Sequence, residues 1–277
     1  MKYFVIYVLV MLSGCDRDST VTDKVNLPLI SDVPVSAWES LSKKTIYFGH
    51  QSVGNNIIDG INGVMENNDS IKLNIKNTSA ILNYEIPVFA HSDIGENGDI
   101  DSKLRDFSKN IHKGVRDKAD IAFLKLCFWD VRRKTDINKV FNDYRENIAD
   151  LKKEYPDTIF LHLTVPLMSH SNGVVANIKR MLKPDNDDLD NIKRNELNRL
   201  IIQEYGGKEP LFDIALIEST LPDGGRAIFS VDGKDYYYLP DEYTDDGGHL
   251  NEQARKHVAE QLLISLSQLE NSNRIID

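Results

Sequence analysis

The strongest constraint on the fold is a series of short, almost uninterrupted apolar runs separated by amphipathic segments. Ile121 to Phe128 is the clearest of these runs. In contrast, Val53 to Met65 and Ile137 to Tyr155 place their apolar residues at helical spacing. Strands that are apolar on both faces are typical of parallel sheets covered by helices on each side. The sequence therefore predicts an α/β fold, a three-layer α/β/α sandwich around a mainly parallel sheet.

The same alternation continues through the rest of the chain. Further apolar segments run from Thr45 to Phe48, from Thr158 to Val165 and from Leu211 to Ile217, and further helices are predicted over 189–205 and 251–269. In sheets of this kind, ligands bind beyond the carboxyl ends of the strands. Reactive residues directly after the predicted strands are therefore candidates for a functional site.

The N-terminal sequence is typical of a targeting segment. Lys2 precedes about ten apolar residues, Tyr3 to Leu12, which are too few to cross a bilayer but suit a secretory signal. They end in Leu12-Ser13-Gly14-Cys15, which resembles the lipobox of bacterial lipoproteins, and an ordinary secretory signal with an incidental cysteine is the alternative. We expect a signal peptide over residues 1–14, a lipidated Cys15 with a tether over 15–40, and one domain over 41–277. The domain would then be anchored to a bacterial membrane outside the cytoplasm, in the periplasm or on the cell surface.

Charge and cysteine content exclude some classes of function. The chain has 33 Lys and Arg against 43 Asp and Glu, a formal charge of −10. Nucleic-acid binding is not expected, because phosphate contacts need clustered basic residues. The chain has two cysteines, and lipidation of Cys15 would leave Cys127 without a partner for an intrachain disulfide.

The first reactive motif is Gly49-His50-Gln51-Ser52-Val53-Gly54, directly after a strand and at the start of a helix. A serine there lies near free backbone amides and the positive end of the helix, where a developing oxyanion would be stabilised. The alternative is that Ser52 only caps the helix.

The second motif is Asp246-Gly247-Gly248-His249-Leu250-Asn251, just before the last helix. The two glycines permit a tight turn, so the Asp246 carboxylate can accept a hydrogen bond from His249 Nδ1 and leave Nε2 free as a base. The alternative is a turn followed by an Asn251 cap, with His249 as a solvated side chain.

Together the two motifs resemble the SGNH or GDSL hydrolase superfamily, in which a serine follows the first strand and Asp-x-x-His precedes the last helix. The resemblance spans about Thr45 to Leu269, and 246–251 reads like the superfamily's block DGxHLN. It implies an SGNH hydrolase-like fold with a flavodoxin-like sheet. It also implies that Ser52 is the nucleophile, His249 the general base and Asp246 its orienting carboxylate, with no cofactor.

Two further blocks of the superfamily have counterparts in the chain. Asn97-Gly98-Asp99 is similar to the second block, which implies that the amides of Gly98 and Ser52 form the oxyanion hole. The third block, Gly-x-Asn-Asp, corresponds to 127–130, where the asparagine is absent. Its substitutes would be the Trp129 indole N–H or the Lys125 ammonium, although Lys125 could instead be a structural partner of Asp130 or another buried carboxylate.

Other polar residues near these motifs are candidates for the pocket or for a metal. The pocket candidates are His50, Gln51, Asn97 and Asp130. A metal bound by His50, His91, Asp93 and His249 is the alternative, but these residues lack the spacing of a recognised metal motif, so no metal is expected.

The resemblance implies a serine esterase that acts on a small-molecule or glycan ester, with an acylated envelope carbohydrate as the candidate substrate. Two alternatives stay open at this point. One is a catalytically silent, glycan-binding envelope lipoprotein, and the other is an acyltransferase with the same triad.

Overall fold

The computed structural model describes residues 24–170 and 186–272. The expected signal peptide, Cys15 and the first part of the expected tether lie outside these residues. Within them, no helix is both long enough and apolar enough to span a bilayer.

The centre of the fold is a parallel five-stranded sheet in the order β2-β3-β1-β4-β5. Its strands are β1 (Ile46–His50), β2 (Ile75–Asn77), β3 (Phe89–Asp93), β4 (Ile121–Leu124) and β5 (Ile159–Phe160). After Leu161, the chain continues into β6 (His162–Leu163), which pairs in parallel with β7 (Leu211–Phe212). An antiparallel hairpin of β8 (Ile228–Val231) and β9 (Lys234–Tyr237) lies outside these sheets.

Helices cover both faces of the sheet. They are α1 (Val35–Leu41), α2 (Val53–Glu66), α3 (Ile100–Asn110), α4 (Ile137–Glu154), α5 (Asn186–Tyr205), α6 (Ile214–Ser219) and α7 (Glu252–Ser272). One apolar cluster joins Phe48 of β1 to helices α1, α2, α6 and α7. A second cluster joins Tyr47, the preceding residue, to α3, α4 and α5. Because successive side chains of a strand point to opposite faces, the two clusters lie on either side of the sheet, and the predicted three-layer sandwich is confirmed.

The expected boundary between tether and domain is wrong. Val25 N–H donates to Gly224 O at 2.8 Å, and Gln261 Nε2 donates to Pro28 O at 2.9 Å. Ile30 and Trp38 pack against the apolar cluster on the α7 face. Contacts with the domain therefore extend into residues 25–40, because this segment has apolar residues that the sequence pattern alone did not assign to a core.

The turn from β1 into α2 is tightly packed. His50 is fully buried at the end of β1, and its ring lies against the first turn of α2. A Cβ atom at Gly54 would lie 2.2 Å from His50 Cγ, whereas a Cβ atom at Gly63 of the same helix would have no neighbour within 4 Å. Glycine at position 54 thus permits the strand end and the helix start to approach closely.

We expect Gly54→Ala to lower the free energy of unfolding by about 1–3 kcal/mol, because the added methyl group overpacks the turn. The matched control, Gly63→Ala, should raise it by up to about 1 kcal/mol, since alanine is the better helix former and meets no neighbour there. Urea unfolding of both variants measures the difference. Equal stability of the two would contradict the close packing of His50 on α2.

Candidate active site

The three central strands end at the same edge of the sheet. His50 of β1 is in register with Asp93 of β3, and Gly49 is in register with Leu124 of β4. The segments that follow these strands carry Ser52, the 94–99 loop and the 125–130 segment. The predicted site residues of these three segments therefore lie at the carboxyl edge of the sheet, where binding sites of this fold class occur.

The Asp246–His249 pair forms as predicted from the spacing. His249 Nδ1 and Asp246 Oδ2 are 2.6 Å apart, and Asp246 Oδ1 accepts from the backbone N–H groups of His249 and Gly248 at 2.8 Å and 3.0 Å. Gly247 has a φ of +89°, a conformation that glycine adopts without steric cost. The turn therefore aims the carboxylate at Nδ1 and leaves Nε2 of the imidazole unengaged by the described residues.

The electrostatics of this pair keep Asp246 ionised. Partial burial raises the pKa of Asp246, but the hydrogen bonds from the backbone and ring of His249 and from Gly248 outweigh it and hold the pKa well below its usual range. The His249 side chain is 42% exposed. The imidazole can therefore exchange protons with a ligand or with water.

Ser52 occupies the N-cap position of α2, but its side chain makes no capping hydrogen bond. The Ser52 side chain therefore does not cap α2, in contrast to the alternative considered from the sequence. Among the described residues, the Ser52 hydroxyl has no hydrogen-bond partner, His249 included. Its role as nucleophile stays a prediction, and contacts between catalytic groups are often loose in unliganded sites.

One contact joins the His249 turn to the first turns of α2, and another joins it to the segment after β4. Asn56, one turn after Ser52, accepts from Leu250 N–H at 3.1 Å through its Oδ1. The Phe128 ring packs edge-on against the His249 ring, with centroids 5.6 Å apart. Segments that are nearly 200 residues apart along the chain therefore share one edge of the site.

Gln51 connects the serine loop to its neighbour. Its Nε2 donates to Ile94 O at 3.1 Å and to Gly95 O at 2.9 Å. The side chain that the sequence suggested as a pocket residue thus holds the Ser52 loop against the loop that carries Gly98.

His50 lies beneath the site and does not line it. Its Nε2 is 3.0 Å from His91 Nδ1, and it is fully buried. Burial, followed by the charges of Lys125 and His91, lowers the pKa of His50 to about 3. The expectation that His50 is a pocket residue is therefore wrong, because a neutral, buried imidazole packs between strand and helix.

A buried ion pair joins the second and third blocks. Lys103 Nζ contacts Asp130 Oδ1 and Oδ2 at 2.8 Å and 2.6 Å, and both side chains are fully buried. The same carboxylate accepts from Gly98 N–H at 2.8 Å and from Cys127 N–H at 2.6 Å. The predicted oxyanion role of Gly98 is therefore not supported, because its amide is already bound to Asp130, and the Asp130 carboxylate is not a pocket group.

Lys125 is also inaccessible. Its side chain is fully buried and donates to Leu126 O at 3.3 Å, and burial lowers its pKa. The prediction that its ammonium could stabilise an oxyanion is wrong, because a fully buried amine does not reach a bound ester. Burial also raises the pKa of nearby Glu218 to about 8, and the two groups interact electrostatically in the core behind the site.

Asn97 and Trp129 are the predicted residues that face outward. Asn97 Oδ1 accepts from Lys103 Nζ at 2.9 Å. An ammonium group only donates hydrogen bonds, so the Asn97 atom in contact with Lys103 must be the amide oxygen. The NH₂ group of the Asn97 side chain therefore points away from the ion pair. Trp129 is 45% exposed.

Within the described residues, no group of three or more His, Cys, Asp or Glu side chains is arranged to hold a metal ion. His50 and His91 contact each other, whereas His249 pairs with Asp246. The four residues considered for a metal therefore do not form one cluster.

Comparison with known proteins gives matches at the level of structure. No protein-family model and no curated protein matches the sequence. A GDSL-like lipase from Bacteroides thetaiotaomicron is 11% identical, with a TM-score of 0.51 over 87% of this chain and 94% of that chain. The esterase EstA from Pseudoalteromonas sp. is 10% identical, with a TM-score of 0.47 over 82% and 99% of the two chains. Est24, a carbohydrate acetylesterase from Sinorhizobium meliloti, is 9% identical, with a TM-score of 0.46 over 82% and 100%.

The match to the Bacteroides lipase covers most of both chains, and it agrees with the parallel sheet and its helical layers. The protein has the fold of the SGNH/GDSL hydrolases and is a divergent example of it.

Proposed function

We propose that the protein is a serine ester hydrolase of the SGNH type that removes an acyl group from an envelope carbohydrate. The observation that carries the proposal is the Asp246–His249 pair, whose Nδ1 to Oδ2 distance is 2.6 Å, beside the start of α2, the helix whose N-cap residue is Ser52. Carboxylate, imidazole and hydroxyl are the three groups of a serine hydrolase triad.

In the proposed reaction, Ser52 Oγ attacks the carbonyl carbon of the ester and His249 Nε2 takes the hydroxyl proton. The tetrahedral intermediate collapses when the bond to the sugar oxygen breaks, and His249 returns the proton to that oxygen. Water then attacks the acyl-serine with His249 again as base, which releases the carboxylic acid and restores Ser52. Asp246 stays ionised, holds the tautomer with a proton on Nδ1 and stabilises the imidazolium.

The oxyanion would be bound by the Ser52 amide and by the Asn97 side chain. Amides at the start of a helix have no intrahelical acceptor, which supports the first donor. Lys103 holds the Asn97 oxygen, and the Asn97 NH₂ group donates no hydrogen bond to the described residues. We propose that Asn97 replaces the asparagine that is absent from 127–130.

We also propose that Cys15 carries a lipid that anchors the domain to a bacterial membrane outside the cytoplasm. The lipobox-like sequence Leu12-Ser13-Gly14-Cys15 supports this proposal.

Ser52→Ala should lower the rate of p-nitrophenyl acetate hydrolysis by a factor of about 1,000 or more, because the nucleophile is lost. Ser36→Ala, in the exposed part of α1, is the matched control and should retain the wild-type rate. Fluorophosphonate should label the wild type stoichiometrically at Ser52. Equal rates for wild type and Ser52→Ala would remove Ser52 from the mechanism, and absence of labelling would favour a silent binding protein.

Asn97→Ala and Asn97→Asp should each lower kcat by about 100- to 1,000-fold with little change in KM, which is typical for loss of one oxyanion donor. The aspartate retains an acceptor for Lys103 but has no N–H group, so it separates donation to the substrate from support of Lys103. Asn62→Asp, which adds the same charge at an exposed position in the middle of α2, is the control and should stay near wild type. Wild-type kcat in Asn97→Asp would contradict the proposed donor.

Cys15→Ser should move the protein from the membrane fraction to the soluble fraction, because the acylated thiol is lost. Fractionation followed by immunoblotting of both forms measures this. A Cys15→Ser protein that stays in the membrane fraction would overturn the lipid anchor.

A further inference from the structure

A cleft of about 420 Å³ lies between the Gly98 loop and the segment that follows β4. It is lined by Gly98, by Trp129 and by the consecutive basic residues Arg132, Arg133 and Lys134. Three adjacent cations on one cleft are notable in a chain whose formal charge is −10, because the rest of the surface tends to repel anions.

Two of the cleft residues are chain neighbours of residues in the proposed site. Phe128, which packs against His249, directly precedes Trp129. On the other wall, a Cβ atom at Gly98 would lie 3.8 Å from Trp129 Cδ1. Asn97, the proposed oxyanion donor, precedes Gly98. A ligand whose ester lies between His249 and Asn97 would therefore extend over Trp129 toward the basic residues.

The carboxylates near the cleft do not neutralise the positive charge of its three basic residues. The Asp130 carboxylate is buried and paired with Lys103. Asp190 is the shared partner of the two arginines, 3.4 Å from Arg132 Nε and 3.7 Å from Arg133 Nη1.

Several donors in the cleft stay available. Lys134 has no ion-pair partner among the described residues, and the Arg132 Nη groups donate no hydrogen bond to them. Asp190 is thus one carboxylate paired with Arg132 and Arg133. The three basic residues therefore give the cleft a net positive charge.

Trp129 and Arg132 form an ordered surface in this cleft. Arg132 Cζ lies 4.5 Å from the Trp129 ring centroid, a cation–π geometry that holds the guanidinium next to the ring. Almost half of the indole is exposed. An exposed aromatic ring suits the apolar face of a sugar, and a planar guanidinium binds carboxylate through two parallel N–H groups.

We propose that this cleft binds the sugar part of the substrate and that the sugar carries a carboxylate. The substrate class is an O-acylated acidic glycan, with Arg132 and Lys134 as specificity-determining residues and Trp129 as the platform for the ring. The inference rests on the proposed function for the ester, but binding of the acidic sugar does not require catalysis.

The first test compares O-acetylated oligogalacturonate with neutral O-acetylated xylo-oligosaccharide. We expect kcat/KM to favour the acidic substrate by about 10- to 100-fold, as for one or more hydrogen bonds to a charged group. The double variant Arg132→Gln/Lys134→Gln should bring this ratio close to one. Arg145→Gln is the matched control, since Arg145 also lies over an aromatic ring, Phe141, but outside the cleft, and it should retain the ratio.

The second test measures binding without turnover. The chain has two tryptophans, of which Trp38 is buried, so unacetylated oligogalacturonate should change the emission of Trp129. The change should weaken at high salt and disappear in Trp129→Phe. A neutral xylo-oligosaccharide should bind more weakly.

The outcomes separate this inference from the proposed function. Equal kcat/KM for the two substrates, or a ratio that the double variant does not alter, would overturn the acidic-sugar site even if p-nitrophenyl acetate is hydrolysed. If no ester is hydrolysed but oligogalacturonate binds in a manner that depends on Arg132 and Lys134, the esterase proposal fails and the binding site stands. Absence of both binding and preference overturns the inference.

Discussion

The buried ion pair of Lys103 and Asp130 organises the site. The Asp130 carboxylate accepts from Lys103 and from the amides of Gly98 and Cys127, so it joins α3, the loop before α3 and the segment after β4. Removing one partner of such a pair leaves an uncompensated buried charge, which typically costs about 3–5 kcal/mol. The same pair occupies the Gly98 amide and orients the Asn97 amide outward. The identity of the proposed oxyanion donor therefore follows from this one interaction.

Burial decides which histidine can act as a base. His50 and His249 both lie at the carboxyl edge of the sheet, but His50 is fully buried and its pKa is lowered to about 3 by burial and by Lys125. His249 is partly exposed and hydrogen-bonded to an ionised carboxylate. A base must exchange its proton with the substrate, so accessibility and a fixed tautomer favour His249 over His50 for the proposed role. His50 instead fills the space between β1 and Gly54.

Periodicity predicted the elements that carry long apolar patterns, and it missed the short or polar ones. Strand β1, helices α2 and α4 and the last helix lie close to their predicted bounds. Strand β2 has three residues, none of them fully buried, and α3 is rich in charged residues, so neither has the apolar signal on which the prediction depended. The 121–128 run is a strand only as far as Leu124, and the segment that follows turns so that Asp130 reaches Lys103 and Gly98 in other parts of the chain.

The sequence by itself determined the α/β fold class and the Asp246–His249 pair. Both depend on short-range relationships: apolar spacing reports which faces are buried, and two glycines between a carboxylate and an imidazole allow their hydrogen bond within one turn. Tertiary structure alone decided that Gly98 and Lys125 are not oxyanion donors and that three basic residues line a cleft with Trp129. Burial and pairing of these groups depend on residues far away in the sequence, such as Asp130 for Gly98 and Asp190 for the arginines, and only the folded chain brings those partners together.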